Sequence, residues 1–280
     1  SKELDISLGD KAGKTKIVLA GNPNAGKSVI FNALTGIYVD VSNYPGTTLE
    51  ITHASYGSDS VIIDTPGVYG ISSFNDEERI ARDIILSADI VVNIVNAVYL
   101  ERDLFLTQQI IDTGVPVIVV LNMIDEAERR GLDIDVEALS RQLKVKIIPA
   151  VAVTGLGLED IKENIFKATP GRMTPGIQDK LSGMTRQVGN QGDALLILEG
   201  DPVVAQRHGM EPDKSQEEFY LARREYVNDI LKDIVIDKSN DLSFSAKLSR
   251  LMIRPATGII ILVAALFVMY EFIGVFVAQY

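Results

Sequence analysis

Cysteine and tryptophan are absent from this 280-residue chain, and histidine occurs only as His53 and His208. Without a thiol there is no disulfide framework, no cysteine nucleophile and no cysteine-based zinc or iron–sulfur site. Two separate histidines exclude a histidine-rich metal site as well. Basic charge is scarce: 27 Lys and Arg face 38 Asp and Glu, a net charge of −11. A net-acidic body does not gather on phosphate backbones, so no nucleic-acid partner is expected. The polar start, SKELDISLGD, carries no apolar core of a cleavable leader.

Long hydrophobic runs are missing too, with one exception. Ala256 to Ala278 reads ATGIIILVAALFVMYEFIGVFVA, with Glu271 as its single charge. As a helix this run would reach about 34 Å at about 1.5 Å per residue, enough for a hydrocarbon core of about 30 Å. Lys247, Arg250 and Arg254 precede it with no acid after Asp241, a flank that holds that side in the cytoplasm. The sequence therefore predicts a transmembrane helix over 256–278, a lipid bilayer as partner, and further spans beyond the end of the chain. Glu271 has two readings, a carboxylate facing a bundle interior or ion path and an interfacial charge.

Before that run, short apolar strands alternate with helical patterns. Strands are predicted at Lys16–Gly21, Leu49–Tyr56, Ser60–Asp64, Asp89–Val95, Pro116–Leu121 and Lys146–Ala150. Helices are predicted at Lys27–Leu34, Asp76–Ser87, Glu101–Thr113, Val136–Leu143 and Leu158–Lys167. Buried strands separated by helices mean a doubly wound, mostly parallel α/β sheet covered on both faces. The expected organisation is a polar tail over 1–15, an α/β domain over 16–170, a small all-α region over 171–255 and the membrane helix. Thr169-Pro-Gly-Arg-Met-Thr-Pro-Gly176 marks the boundary. Beyond it no strand alternation is visible, and Ser215-Gln-Glu-Glu218 reads as a capping box before a long helix.

Gly21-Asn22-Pro23-Asn24-Ala25-Gly26-Lys27-Ser28 matches the phosphate-loop pattern G-x-x-x-x-G-K-[ST] between a predicted strand and a predicted helix. Its backbone N–H groups and the helix N-terminus, at Lys27, Ser28 and Val29, would face phosphate. Lys27 would reach the β- and γ-phosphates, and Ser28 would ligate Mg²⁺. Asp64-Thr65-Pro66-Gly67 ends a strand, where the carboxylate can hold the Mg²⁺ shell and the Gly67 N–H can bond the γ-phosphate. Between them, Gly46-Thr47-Thr48 supplies a hydroxyl for Mg²⁺, with Thr48 preferred over Thr47. Asn122-Met123-Ile124-Asp125 follows another strand, and the Asp125 carboxylate can accept from both N1–H and the exocyclic amine of guanine, selecting GTP over ATP. Ala152, Val153 and Thr154 would offer backbone N–H groups to the guanine carbonyl. Lys27, Thr48 and Gly67 are the expected catalytic contacts.

Taken together, GNPNAGKS, VSNYPGTTLE, DTPGVYGIS, the run from Asn93 to Gly131 and LMIRPATG before the apolar helix resemble the ferrous iron transporter B (FeoB) family from Lys16 to Tyr280. The resemblance implies a bacterial or archaeal inner-membrane Fe²⁺ uptake protein whose cytoplasmic G domain binds GTP and GDP, hydrolyses GTP slowly and signals through the helical region. It also implies Asn24 to Ser28 on the phosphates, Thr48 in the first switch, Asp64 and Gly67 at the second, Asn122 and Asp125 on guanine, Asn24 as a K⁺ ligand, and room for a small cytoplasmic regulatory partner. Three residues depart from the family pattern: Ala25 replaces a usual Ser, Thr65 a usual Leu, and Ala152-Val153 a Ser-Ala or Ser-Thr pair. Val68 follows Gly67 where many small GTPases carry a water-orienting Gln, so turnover should be slow without K⁺ or a partner. The alternatives are a ribosome-assembly or tRNA-modifying GTPase, a switch gated by GTP binding without hydrolysis, and a non-enzymatic membrane anchor.

Overall fold

A computed structural model describes residues 2–11, 13–36, 39–45, 47, 50–71, 76–238 and 255–270. In chain order the first part contains α1 (Lys2–Leu8), β1 (Thr15–Gly21), α2 (Lys27–Thr35), β2 (Asp40–Asn43), β3 (Glu50–Tyr56), β4 (Ser60–Asp64) and α3 (Asp76–Leu86). Next come β5 (Ile90–Asn96), α4 (Leu100–Asp112), β6 (Val117–Asn122), α5 (Ile124–Arg129), β7 (Leu132–Ile134), α6 (Val136–Leu143), β8 (Lys146–Ala150) and α7 (Leu158–Asn164). The second part holds α8 (Gln178–Val188), α9 (Gln191–Leu198), α10 (Pro202–Arg207), α11 (Gln216–Ile234) and β9 (Val235–Asp237), and α12 spans Pro255–Tyr270.

Seven strands form one sheet in the order β2-β3-β4-β1-β5-β6-β8. From β4 to β8 every pairing is parallel, while β2 and β3 add antiparallel neighbours at one edge. The apolar strand runs sort themselves by side-chain alternation. Ile17, Leu19, Val92, Ile94, Ile118 and Val120 meet α2 and α7 on one face. Val18, Ala20, Val91, Val95, Val119 and Leu121 meet α3, α4 and α6 on the other. This is the doubly wound sheet that the alternation of strands and helices predicts.

The second face carries the helical part as well. Leu181 of α8, Leu195 of α9 and Phe219, Val227 and Ile230 of α11 are buried in the same cluster as the residues of α4 and α6. The Pro-Gly boundary is tied down: Val117 donates to the Thr169 carbonyl at 3.1 Å, Arg172 to Leu143 at 2.7 Å, and the Thr174 N–H to Asp112 at 2.8 Å.

Several elements differ from the sequence reading. Residues 1–15 are read as a polar tail, yet Lys2–Leu8 is helical with Leu4 and Leu8 buried against the core. Two leucines four apart form one contact face, too short a pattern to stand out. The all-α reading of the second part misses β9, which pairs antiparallel with β7 through Leu132↔Asp237, Asp133↔Ile236 and Ile134↔Val235. Lys238 extends this contact, its N–H donating to Gly131 at 2.7 Å and its ammonium pairing with Asp133 at 2.7 Å. Ser215 precedes α11 without capping it; its hydroxyl donates to Asp213 at 2.5 Å instead.

Of the span expected over 256–278, Pro255–Tyr270 is helical. Residues 271–278, with Glu271, and the basic flank Lys247, Arg250 and Arg254 lie outside the described residues. Among the described residues no helix is long and apolar enough to cross a membrane.

Candidate functional site

β1 lies where the sheet changes direction, paired with β4 on one side and β5 on the other. A crevice opens beyond its carboxyl end, the place where open α/β sheets take ligands. Gly21 to Ser28 fills the rim of that crevice. Gly26 sits at φ +96°, and a Cβ there would come within 2.2 Å of the Asn122 amide nitrogen, so only glycine fits. Asn24 is also left-handed, at φ +65°. α2 begins at Lys27 without a side-chain cap, which leaves the N–H groups of its first turn for a ligand.

Lys27 Nζ lies 3.5 Å from Asp64 Oδ1, and the Ser28 hydroxyl donates to Asp64 Oδ2 at 3.1 Å. Asp64 Oδ1 is buried and accepts no hydrogen bond. Burial pushes the Asp64 carboxyl above its ordinary range, and Lys27 and Ser28 oppose that shift. A hydroxyl beside a carboxylate with an unfilled buried oxygen is a donor set suited to a hard divalent cation.

The segment after Asp64 packs directly on the phosphate loop. Thr65 bonds the Leu19 carbonyl through its hydroxyl at 2.8 Å, and the Val68 N–H reaches the Gly21 carbonyl at 3.3 Å. Gly67 approaches closely enough that a Cβ would lie 2.9 Å from Pro23 Cα, and Pro66 is half-buried. Val68 is 1% exposed, so the residue after Gly67 presents nothing polar to a water. Gly46 and Thr48 lie outside the described residues. The Thr47 hydroxyl donates to the Tyr44 carbonyl at 3.0 Å.

At the far end of the crevice a cavity of about 400 Å³ is lined by Gly26, Val29, Asn122, Met123, Asp125 and Val153 among others. Met123 takes a left-handed turn, φ +61°, which starts α5 with Asp125 in its first turn. Asp125 is paired with Arg129 at 3.0 Å. Asn122, expected on the base, lines this cavity and also joins two loops. Its Nδ2 donates to the Ala25 carbonyl at 2.9 Å and its Oδ1 accepts from the Ala152 N–H at 3.0 Å. That also narrows the expected guanine-carbonyl donors. Ala152 is engaged by Asn122, Thr154 donates to Val151 at 3.0 Å, and Val153 is left as the N–H free of these bonds.

A larger cavity, about 760 Å³, lies between α4, α11 and the residues Tyr69, Gly70 and Glu78, and of the described residues shares only Val98 and Tyr99 with the first. Two features near it escaped the sequence reading. Arg223 of α11, 1% exposed, joins Asp112 of α4 at 2.9 Å to Glu199 at 2.8 Å. Asp103 of α4, also 1% exposed, accepts from Asn22 of the phosphate loop at 2.8 Å. The signal available was α4 itself, whose 13 residues intersperse Asp103, Thr107, Gln108, Gln109 and Asp112 among apolar ones; all five are buried.

Comparison with known proteins adds relatives to this geometry. The family model described as ferrous iron transport protein B matches residues 15–165. A curated relative, the Fe(2+) transport protein A/Fe(2+) transporter FeoB fusion protein of Porphyromonas gingivalis, is 32% identical over 253 residues, covering 80% of this chain and 29% of that protein. Two solved structures are similar. One is a GDP-bound mutant of the S. thermophilus FeoB G-domain, with TM-score 0.71, 28% identity, and 79% of this chain and 100% of that one covered. The other is the cytosolic domain of the T. maritima FeoB iron transporter in its GMPPNP form, with TM-score 0.69, 29% identity and coverage of 80% and 100%. The chain spans less than a third of the length of the curated relatives it matches.

Proposed function

Because the chain belongs to the ferrous iron transport protein B family, we propose that it is the GTP-binding and slowly GTP-hydrolysing part of a longer Fe²⁺ uptake membrane protein, governing transport by its nucleotide state. One observation carries the reading. Lys27, Ser28 and Asp64 converge at the end of β1, one rim of a crevice whose other end holds Asp125 and Met123. Phosphoryl transfer needs positioning and charge stabilisation more than covalent help. Lys27 and the uncapped N-terminus of α2 supply positive charge to the β- and γ-phosphates, and the Gly67 N–H meets the γ-phosphate. Mg²⁺, held by Ser28, Asp64 and Thr48, would neutralise charge on the bridging and terminal oxygens. Water attacks the γ-phosphorus as the bond to the bridging oxygen breaks, and GDP leaves with the electron pair.

The buried Val68 cannot orient that water, so turnover is slow unless K⁺ at Asn24 or a partner adds charge. A small cytoplasmic protein is one such partner. The same residue favours a second reading, a switch gated by GTP binding in which hydrolysis only resets the state; transport that proceeds unchanged with a non-hydrolysable analogue would select it. Eight large apolar residues exposed on α12 support insertion of that helix in a bilayer, with the domains before it in the cytoplasm of a bacterium or archaeon and the membrane its inner one.

The base assignment is tested by Asp125→Asn. It exchanges an acceptor for a donor opposite guanine N1–H, a loss of about 1–3 kcal/mol. GTP affinity should fall by one to two orders of magnitude while xanthosine triphosphate affinity rises. A variant that keeps the parent's GTP affinity and gains nothing for xanthosine triphosphate removes Asp125 from the base site.

A further inference from the structure

Asp103 lines neither cavity, yet its carboxylate reaches three parts of the crevice. Oδ1 accepts from Asn22 Nδ2 of the phosphate loop and from Arg102 Nε, both at 2.8 Å. Oδ2 accepts from the backbone N–H of Asn96, at the end of β5, at 2.9 Å. Each arm continues. Asn22 precedes Pro23, the residue against which Gly67 is seated. Asn96 Nδ2 contacts Met123 Sδ at 3.2 Å, beside the base cavity. The Arg102 guanidinium lies over the rings of Tyr99, at 4.9 Å, and Tyr69, at 5.6 Å, the latter two residues beyond Gly67.

We infer that Asp103 is a positioning residue that holds the phosphate loop and the segment after Asp64 at a set separation, and so tunes the preference for a nucleoside triphosphate over the diphosphate. The inference rests on the proposed nucleotide site and deepens it. The α- and β-phosphates face the first turn of α2, whose backbone makes no bond to Asp103. The γ-phosphate faces Gly67, whose seat is Pro23 and whose neighbour Tyr69 is held by Arg102. Removing the carboxylate strands two buried donors, the Asn22 amide and the Asn96 N–H, and each must find water or move. Either response shifts Asn22 and Pro23, and with them the contact that only a triphosphate uses.

The test measures affinities of the full chain for fluorescent GDP and for a fluorescent non-hydrolysable GTP analogue, in the parent, Asp103→Asn, Asp103→Ala and Arg102→Ala. Asp103→Ala should lower the ratio of analogue to GDP affinity at least fivefold. Asp103→Asn keeps an acceptor for one donor and should fall between it and the parent. Arg102→Ala, at an exposed position that leaves the core intact, should lower the ratio about twofold or more, and it carries the test if Asp103→Ala does not fold. A packing role alone would weaken both nucleotides equally; an unchanged ratio in Asp103→Asn and Arg102→Ala therefore overturns the inference. Failure of the parent to bind GDP would instead overturn the nucleotide site on which it rests.

Discussion

Replacing Asn122 with alanine should damage nucleotide binding although the side chain bridges two loops and need not touch the base. Asn122 is 2% exposed, with Nδ2 on the Ala25 carbonyl at 2.9 Å and Oδ1 on the Ala152 N–H at 3.0 Å. Ala25 is fully buried and Ala152 nearly so, so truncation leaves an acceptor and a donor without partners and without ready access to water. Each such orphan costs about 1–3 kcal/mol, and the pair about 2–6 kcal/mol, a large part of a typical folding free energy of about 5–15 kcal/mol. The cost falls on the phosphate loop and the base loop together, because the amide is the strut between them. Asn122→Asp separates the two ends. It keeps the acceptor for Ala152 but sets a carboxylate oxygen against the Ala25 carbonyl, so the phosphate side should suffer more. Urea unfolding with and without GDP, together with GDP affinity, reads both effects. The alanine variant should lose both stability and at least tenfold in affinity. An unfolding free energy within about 0.5 kcal/mol of the parent with unchanged GDP affinity would refute the strut.

Hydrolysis should run faster in K⁺ than in Na⁺, and Asn24→Ala should abolish the difference; equal rates for the parent in the two salts would dismiss potassium. Arg223→Met should lower the thermal midpoint sharply, by about 3–5 kcal/mol in stability, because Asp112 and Glu199 both lose the buried guanidinium that pairs with them. Adding Asp112→Asn and Glu199→Gln should recover much of that loss, and a single variant as stable as the parent would refute the bridge. Burial, helped by Lys11, holds the His53 imidazole below its ordinary value of 6.5 against the pull of Asp40. The unfolded chain then takes up a proton before the folded one does, so this contribution to stability is present above about pH 6.5 and is lost as pH falls below it. His53→Leu should flatten the decline between pH 6.5 and 5 in urea midpoints, and an unaltered slope would show that another group titrates there.

The sheet was legible because its strands are continuous apolar runs bounded by Gly, Pro and polar pairs, and the phosphate loop because its glycines must lie between a strand and a helix. Ser60–Asp64, Val136–Leu143 and Lys146–Ala150 are observed with the bounds their patterns predict. Short elements were not legible. β2 is mostly exposed and β7 and β9 are three residues each, and their pairings join distant parts of the chain, which no local pattern encodes. The loop contacts of Asn122 were not legible for a related reason: a side chain at a strand end can face a ligand, a neighbouring loop or both, and only the folded positions of Ala25 and Ala152 reveal the two bonds. Asp103 and Asp112 gave no signal of their own in a helix recognised by its apolar spacing, whereas in the fold both are buried and each acid meets its own partners.

The β7–β9 ribbon has a mechanical meaning. The register pair at the end of β9 is Leu132↔Asp237, reinforced by the Lys238 bonds to Gly131 and Asp133. A pull on the chain after Lys238 therefore loads this end of the ribbon before any bond within α11. The strand on the receiving side begins at Leu132, directly after the helix that presents Asp125. Such a pull would open the ribbon one pair at a time from the end that follows α5, so the helix carrying Asp125 is the first neighbour to feel it.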